Sequence, residues 1–89
     1  MALRPYLSRN ARRQIVVLAK RHPELLDRVV QVIAELVHDP DMRLHKAEML
    51  RGDLAGYRSV RLTLKDRLIY RVDADRLLIE SVEGHYGDR

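Results

Sequence analysis

The fold is decided by residues 57–82, which read YRSVRLTLKDRLIYRVDADRLLIESV. Apolar and polar residues alternate along three segments of this stretch: residues 57–64, 67–72 and 77–82. Such alternation is typical of strands that bury one face. Two short breaks, Lys65-Asp66 and residues 73–75, separate the segments and predict tight turns. The stretch therefore predicts an antiparallel meander of three strands.

The need to keep one face apolar restricts how the first two of these strands pair. A two-residue loop would place an arginine beside a leucine on the same face. An odd-length loop, such as residues 65–67, keeps the face apolar and predicts three cross-strand pairs: Leu64 with Leu68, Leu62 with Tyr70, and Val60 with Val72. Because a slip by one residue would bury charged side chains, we favour the odd loop. Arg61 and Arg71 then lie together on the polar face.

Residues 8–38 carry the periodicity of two amphipathic helices. Ser8 or Asn10 offers an N-cap for a first helix that runs to Arg21. Pro23 suits the first helical position of a second helix, which is predicted from Glu24 to about His38. The apolar residues recur at helical spacing: Ile15, Val16, Leu18 and Ala19, then Leu25, Leu26, Val29, Val30, Val32, Ile33, Leu36 and Val37. The short link between the helices predicts an antiparallel hairpin.

Two further short strands complete the predicted sheet. Residues 2–7 form one of them, and Pro5, which has no backbone donor, restricts this strand to an edge or breaks it. Residues 47–51 form the other, followed by a loop with two glycines at residues 52–56. The sequence therefore predicts a single α+β domain over residues 1–89, with a helical hairpin packed on a small twisted antiparallel sheet.

Composition narrows the class of protein. At 89 residues there is room for one core, and the absence of cysteine excludes disulfides and thiolate metal cages. No apolar run is long enough to span a bilayer and no signal peptide is evident, so we expect a cytoplasmic protein with no membrane association. The net charge of +4 makes polyanions plausible partners. The basic residues that precede Glu24 form either a solvated helix face or a surface that follows phosphates: Arg4, Arg9, Arg12, Arg13, Lys20 and Arg21.

Residues 44–86 hold side chains suited to cleaving RNA without a metal. Internal transfer needs a base for the 2′-hydroxyl and an acid for the departing 5′-oxygen, for which Glu48 and His85 are candidates. It also needs fixed positive charge on the phosphorane, and the planar guanidinium groups of Arg61 and Arg67 match phosphate oxygens. Tyr86 is a candidate for orienting either the scissile phosphate or His85. No cofactor is expected, and no paired-histidine spacing predicts a metal site.

Each of these residues also has an ordinary structural interpretation. A glutamate in a short polar strand usually faces solvent. A strand arginine is more often a member of a surface ion pair, for which Asp73 and Glu80 are possible partners. A histidine close to the end of a chain is most often only exposed. The residue types alone leave both interpretations open.

Several short motifs occur together in a fixed order along residues 46–86: Glu48 followed by Leu50-Arg51, Asp53-Leu54-Ala55-Gly56, Ser59-Val60-Arg61, Arg67-Leu68-Ile69-Tyr70, residues 73–79 and His85-Tyr86. In this order and spacing the stretch resembles the YoeB/Txe branch of the RelE-type bacterial toxins. These toxins are ribosome-dependent mRNA interferases of type II toxin-antitoxin systems.

The resemblance implies a compact fold of the microbial-RNase type, and it assigns roles by position. Glu48 would be the general base, His85 the general acid and Arg67 the group that stabilises the phosphorane. Substrate-binding roles fall to four further residues: Arg51, Ser59, Arg61 and Tyr86. The implied partners are a YefM/Axe-like antitoxin that folds over the site, the 70S ribosome with its mRNA, operator DNA reached through the antitoxin, and a second copy of the chain.

Two alternatives remain beside the nuclease. ParE-like relatives use this fold to inhibit gyrase but lack the set of Glu48, Arg67 and His85. A chain that only binds its antitoxin and DNA would keep the fold without cleaving RNA. Cleavage requires His85 to lie on the same face of the sheet as Arg67. We expect Gly84 to provide a bulge that turns this histidine toward Arg67.

Overall fold

The computed structural model describes residues 2–41 and 47–84. In these ranges the chain forms β1 (Arg4–Leu7), α1 (Arg9–Arg21), α2 (Pro23–Leu36), β2 (Glu48–Met49), a 3₁₀ turn (Gly52–Leu54), β3 (Arg58–Arg61), β4 (Arg67–Asp73) and β5 (Arg76–Glu83). The strands form one sheet in the order β1-β5-β4-β3-β2. The predicted α+β architecture is confirmed. The sheet is mixed, however, because β1 pairs with β5 in parallel while the other neighbours are antiparallel.

Strand β1 lies at one edge of the sheet. Its backbone is tied to the last turn and to β5 through Arg4 N–H to Asp75 O at 2.9 Å and Ser8 N–H to Ile79 O at 2.9 Å. Pro5 is tolerated because a residue on an edge strand can direct its missing donor away from the partner. The prediction that Pro5 restricts this strand to an edge is confirmed.

Ser8 is the N-cap of α1, and it is one of the two residues predicted for that position. Its hydroxyl group accepts a hydrogen bond from Ala11 N–H at 2.9 Å and donates its own O–H to the backbone oxygen of Glu80 at 2.6 Å. The residue therefore fixes both the start of the helix and its position on β5. Helix α2 begins at Pro23, the predicted first helical position, but ends at Leu36, two residues before the predicted end. No helix in the described ranges is long and apolar enough to cross a membrane.

The helices cover one face of the sheet and form the core with it: Ala11, Leu18, Val29, Val32, Leu36, Val60, Leu62, Leu68, Tyr70, Leu77, Ile79 and Val82. Two residues predicted to be buried, Val16 and Val30, are instead 55% and 58% exposed, and Ala19 is exposed as well. Helix geometry explains Val16, since a residue two positions from Leu18 lies about 160° around the axis. The apolar stripe of α1 is therefore narrower than predicted.

The pairing of β3 with β4 differs from the predicted register. Val60 lies opposite Leu68 rather than Val72, and Arg61 lies opposite Arg67 rather than close to Arg71. Strand β3 ends at Arg61, three residues before the predicted end, and the connection is longer than the one we favoured. It is still odd in length, so Val60, Leu62, Leu68 and Tyr70 face the core as predicted, whereas Leu64 and Val72 are exposed.

The longer connection is stabilised by Thr63. Its hydroxyl donates to the Asp66 carboxylate at 2.6 Å and accepts from the backbone N–H groups of Lys65 and Asp66 at 3.2 and 3.1 Å. Leu62 N–H also donates to Asp66 O at 2.8 Å. These hydrogen bonds of the Thr63 side chain close the turn before Leu64 can continue the strand. Leu64 therefore lies at the tip of the turn and is 89% exposed.

A β-bulge interrupts the pairing of β4 with β5. Ile69 is opposite Ser81 and Tyr70 is opposite Ile79, so Glu80 has no partner on β4. The backbone oxygen of this extra residue accepts the hydrogen bond from Ser8. The bulge keeps Ile79 and Val82 in the core, while Ser81 faces the other side of the sheet together with Ile69.

Candidate active site

The face of the sheet opposite the helices carries four of the predicted site residues, and we call it the open face. Its first row runs across β2, β3, β4 and β5: Glu48, Ser59, Ile69 and Ser81. Its second row runs across β3, β4 and β5: Arg61, Arg67 and Glu83. Paired residues of neighbouring strands share a face, so strand pairing alone brings these side chains together.

Arg67 is the centre of the cluster. Its Nη2 donates to Oε1 of Glu48 at 2.5 Å, and its Nε donates to the hydroxyl of Ser59. Ser59 is buried, with 2% of its surface exposed, so the guanidinium is anchored at its inner edge. The Glu48 side chain is 67% exposed, against 29% for Arg67. Arg67 is therefore held in place, and its carboxylate partner is open to solvent.

Arg61 lies directly opposite Arg67 on the neighbouring strand and is exposed. Two like charges facing each other across a sheet are unfavourable for folding. An anion bound between them would relieve that repulsion, and guanidinium forks suit phosphate oxygens. The pair thus forms a cationic position beside the Glu48 carboxylate.

The sequence also allowed the strand arginines to be members of surface ion pairs with Asp73 or Glu80, and the structure shows ion pairs with different partners. Asp73 pairs with Arg76 at 3.2 Å rather than with a predicted site arginine, and Arg67 pairs with Glu48, itself a predicted site residue. The ion pair that involves Arg67 is thus formed inside the cluster.

Glu83 is a site residue that the sequence reasoning missed. It lies opposite Arg67 on β5, and its Oε2 accepts a hydrogen bond from the hydroxyl of Ser81 at 2.7 Å. A second carboxylate therefore borders the cationic position from the side away from Glu48. The signal was present in the alternation of Ser81 and Glu83, but finding it required the β4–β5 pairing.

Three predicted residues are not part of the cluster as described. Arg51 follows β2 in an exposed position before the 3₁₀ turn, and in the described part of the chain it makes no hydrogen bond or ion pair with the cluster. His85 and Tyr86 lie outside the described residues, so their roles stay predictions.

Gly84, which leads to His85, is close to the β3–β4 turn. A Cβ added to it would stand 1.9 Å from Oδ1 of Asp66 and 3.1 Å from Asp66 Cα. A side chain at this position would therefore force the Asp66 carboxylate to move. A separate bulge lies four residues earlier, at Glu80, and the bulge expected at Gly84 stays a prediction.

The basic residues of α1 lie on the helical side of the molecule. Arg9, Arg12, Arg13, Lys20 and Arg21 are all exposed there. Arg4 is different, because it belongs to β1 and its partner on β5 is Arg76. The basic N-terminal run is thus divided between two surfaces and does not form one phosphate-following strip.

The cluster is an open surface, and a large cavity lies elsewhere. That cavity, about 570 Å³, is formed by the helix junction and the β3–β4 turn, and residues that line it include Arg21, His22, Lys65 and Asp66. Neither Glu48 nor Arg67 contributes to it. Across residues 2–41 and 47–84, no group of three or more metal-binding side chains is assembled.

The sequence matches a family model described as the YoeB-like toxin of the bacterial type II toxin-antitoxin system, over residues 8–86. The chain belongs to the YoeB-like toxins. A toxin YoeB from Streptomyces coelicolor is 35% identical over 68 residues, which cover 76% of this chain and 81% of the relative. The resemblance predicted from residues 46–86 is therefore confirmed, and the match extends through both helices.

Solved structures agree on the fold. A YoeB/ParE toxin from Agrobacterium tumefaciens superposes with a TM-score of 0.83 at 24% identity, covering 94% of this chain and all of the other. A YoeB dimer and a YoeB–YefM complex from Staphylococcus aureus each give a TM-score of 0.82 at 23% identity, covering 97% of this chain and all of theirs. The YoeB-like fold thus includes the mixed sheet described above.

Proposed function

We propose that this YoeB-like toxin is a metal-independent endoribonuclease that cleaves mRNA in the ribosomal A site and thereby inhibits translation. The observation that carries the proposal is the open-face cluster, in which Ser59 and Glu48 hold Arg67 opposite Arg61. A carboxylate and two guanidinium groups side by side match the base and the charge stabilisation that phosphodiester transfer needs. The site of action is then the cytoplasm, where mRNA is translated.

The reaction requires one bond to form and one to break at phosphorus. Glu48 takes the proton of the 2′-hydroxyl, and the 2′-oxygen attacks the adjacent phosphorus. The bond from phosphorus to the 5′-oxygen breaks, and His85 gives that oxygen a proton. The products are a 2′,3′-cyclic phosphate and a 5′-hydroxyl.

The arginines act on the charge that develops between these two proton transfers. The phosphorane carries more negative charge than the ground-state phosphate, and Arg67 meets it with a guanidinium that Ser59 has already oriented. Arg61 contributes from the opposite strand, and Tyr86 orients the phosphate. Arg51 and Ser59 complete the proposed substrate contacts, Ser59 through Arg67.

The ion pair between Glu48 and Arg67 also suits a base that is released by its substrate. A phosphate that binds Arg67 competes with the Glu48 carboxylate for the same donor, Nη2. When the phosphate wins, Glu48 loses its cation partner beside the 2′-hydroxyl. The carboxylate is then free to accept the proton of that hydroxyl.

The proposed partners follow from the same surface and from the relatives. The Staphylococcus aureus YoeB is found as a dimer and with YefM, so we propose a YefM/Axe-like antitoxin and homodimer formation for this chain. An antitoxin segment that covers the open face would meet Arg61 and Arg67 with acidic side chains. Contact with operator DNA would be made through the antitoxin, and the ribosome would supply the mRNA.

The test uses ribosomes programmed with mRNA and measures the rate of cleavage. We expect Glu48→Ala, Arg67→Ala and His85→Ala each to lower the rate by about 100-fold or more, the usual contribution of an acid, a base or a charge-stabilising group. Matched controls come from the helical side of the molecule: Glu24→Ala for the carboxylate and Arg12→Ala for the guanidinium. Both are exposed and lie on the helices, which cover the other face of the sheet, so their rates should equal that of the unsubstituted toxin.

Unchanged cleavage in all three site variants would refute the proposal. If the unsubstituted toxin binds its antitoxin but cleaves no mRNA on the ribosome, the chain is a binding protein with this fold. Inhibition of gyrase without RNA cleavage would identify it instead with the ParE-like alternative.

A further inference from the structure

A third row of side chains on the open face forms a cleft that the proposed chemistry does not use. Tyr6, Leu78 and Arg71 lie side by side on β1, β5 and β4. Tyr57, directly before β3, lies beside Arg71, with 5.7 Å between the guanidinium carbon and the ring centroid. These four residues line a cavity of about 170 Å³, with Tyr6 and Tyr57 on opposite sides and Leu78 and Arg71 between them.

The walls of this cleft are suited to a flat aromatic ligand. Tyrosine rings and arginine planes are the surfaces on which unpaired nucleobases stack. Tyr6 is 40% exposed, and the hydroxyl of this residue is held by Arg4 at 2.6 Å. Its ring is therefore held in position at one side of the cleft.

The charges around the cleft favour a polyanion in its neighbourhood. The guanidinium carbons of Arg4 and Arg76 lie 5.8 and 5.9 Å from the centroid of Tyr6, and Arg71 lies at Tyr57. Glu80 also lines the cleft, so a phosphate inside it would meet a carboxylate. The neutral base, rather than the phosphate, is the part of a nucleotide that fits inside, while the arginines at the rim suit the backbone.

The cleft and the cluster around Arg67 are continuous on one surface. Arg71 follows Arg67 by four residues on β4, and a strand rises roughly 3.3 Å per residue, so the two arginines are roughly 13 Å apart. Single-stranded RNA extended along β4 would cover that distance in about two nucleotides. Ile69 lies between them as an apolar floor.

We infer that the cleft between Tyr6 and Tyr57 binds one unpaired base of the RNA strand whose backbone is cut at Glu48 and Arg67, about two nucleotides from the cleaved bond. The inference rests on the proposed function, because it assigns the same strand to both sites. It makes Tyr6 and Tyr57 substrate-binding residues that contribute to the choice of sequence without touching the reacting atoms.

The experiment measures the binding of short single-stranded RNA to the full-length toxin by fluorescence anisotropy. The RNA carries 2′-deoxyribose at the cleaved position, so no reaction occurs, and a series of RNAs has an abasic residue at one position each. We expect one abasic position to weaken binding by about 5- to 150-fold, the range for loss of one stacked base. Tyr57→Leu and Tyr6→Leu should weaken binding of the intact RNA similarly and abolish the effect of that abasic position.

Conservative variants separate stacking from damage to the fold. Tyr57→Phe and Tyr6→Phe keep the ring and should retain most of the binding and the full abasic effect. Thermal unfolding of each leucine variant checks that the fold persists. Binding that is equal in the leucine, phenylalanine and unsubstituted proteins would overturn the inference, and so would the lack of measurable binding by the unsubstituted toxin.

The result does not depend on whether the toxin cleaves RNA. If the Glu48, Arg67 and His85 variants cleave normally, the proposed reaction fails, while the loss of the abasic effect in the tyrosine variants would still locate a base in the cleft. If cleavage depends on the three residues but binding ignores the tyrosines, the cleft inference fails alone.

Discussion

Arg58 and Arg67 lie on neighbouring strands of the same hairpin and form nearly identical ion pairs. Arg58 donates to Asp41 at 2.7 Å and Arg67 to Glu48 at 2.5 Å. The arginine side chains are 28% and 29% exposed, and the carboxylate side chains 64% and 67%. The pairs differ in the face of the sheet on which they lie, since Arg58 faces the helical side and Arg67 the open face.

The two arginines also differ in their other hydrogen-bond partners. Arg58 also donates to the backbone oxygen of Pro40 at 3.0 Å, and the hydroxyl of Tyr70 donates to the same oxygen at 2.6 Å. It therefore ties the segment after α2 to the sheet. Arg67 instead bonds to the side chains of Glu48 and Ser59 and faces Arg61, the arrangement proposed above to bind the scissile phosphate. Ion-pair geometry and burial alone would not separate a structural arginine from a functional one.

The electrostatic surroundings of Arg58 support its structural role. Partial burial acts to lower its pKa, but the hydrogen bonds to Asp41 and Tyr70 together outweigh that effect and raise the pKa above its ordinary value. Burial also raises the pKa of Tyr70, although the neighbouring Arg58 opposes the change. Both groups are thus held in the form that keeps the Pro40 carbonyl bonded.

The largest expected difference is produced by exchanging each arginine for lysine. Arg67→Lys keeps the charge but loses the planar fork, so we expect mRNA cleavage on programmed ribosomes to fall by about 100- to 1,000-fold. Arg58→Lys should leave the cleavage rate of the folded protein unchanged. Its free energy of unfolding in urea should fall by about 1–2 kcal/mol, because a charged hydrogen bond is lost.

The comparison between the two arginines would be wrong if the effects were reversed or equal. A cleavage rate that fell as much in Arg58→Lys as in Arg67→Lys, at a temperature where both are folded, would show that the two pairs act on the same site. Circular dichroism at the assay temperature serves as the control for folding.

A smaller effect is expected from Gly84→Ala, which tests the packing of Gly84 against Asp66, the residue that precedes Arg67. The new methyl group would collide with the Asp66 carboxylate, and Asp66 would have to leave Thr63. We expect the free energy of unfolding to fall by about 1–3 kcal/mol, as for other overpacked positions. Adding Asp66→Ala should restore part of the loss, because it removes the atoms that collide.

The double variant is the informative measurement. If Asp66→Ala and Gly84→Ala destabilise additively, the two residues are not in contact and the close approach at the end of β5 is wrong. If the double variant is more stable than Gly84→Ala alone, the contact is real, and its effect on cleavage reports how far the direction of the chain at Gly84 matters for His85.

Much of the fold follows from local pattern, and the corrections follow from tertiary contacts. Alternation in residues 57–82 predicted the strands, and the odd-length loop predicted the burial of Val60, Leu62, Leu68 and Tyr70 but not the exposure of Leu64 and Val72. Alternation alone did not predict the register, because Thr63 closes a turn through its hydroxyl group and ends β3 early. The parallel pairing of β1 with β5 was equally hidden, since it joins the two ends of the chain.

The candidate site also contains residues that the sequence predicted and residues that only the structure revealed. Glu48 and Arg67 were chosen by residue type and family spacing, and the register of β2, β3 and β4 brings them into contact. Glu83 and the cleft at Tyr6 depend on pairs across β5, including the bulge at Glu80, which no local pattern marks. Neighbours within one hairpin were therefore within reach of sequence reasoning, and those brought together by β5 were not.

The smallest effect is expected from Tyr70→Phe, which tests the hydrogen bonds around Arg58 on the helical side of the sheet. At neutral pH the loss of the hydrogen bond to the Pro40 carbonyl should lower the free energy of unfolding by about 1 kcal/mol, since Arg58 still donates to that oxygen. The raised pKa of Tyr70 means that its neutral form stabilises the fold. This contribution is complete below the unfolded pKa of about 10 and is lost as pH rises through the folded pKa.

The unsubstituted toxin should therefore lose stability more steeply than Tyr70→Phe above about pH 10, and the two curves should converge. Urea denaturation of both proteins between pH 8 and pH 11 measures this, and lysines and the other tyrosines contribute equally to both. Parallel curves would mean that Tyr70 titrates alike in the folded and unfolded chains. Cleavage at pH 8 should be unaffected, because Tyr70 serves the arginine that holds the fold and not the one on the open face.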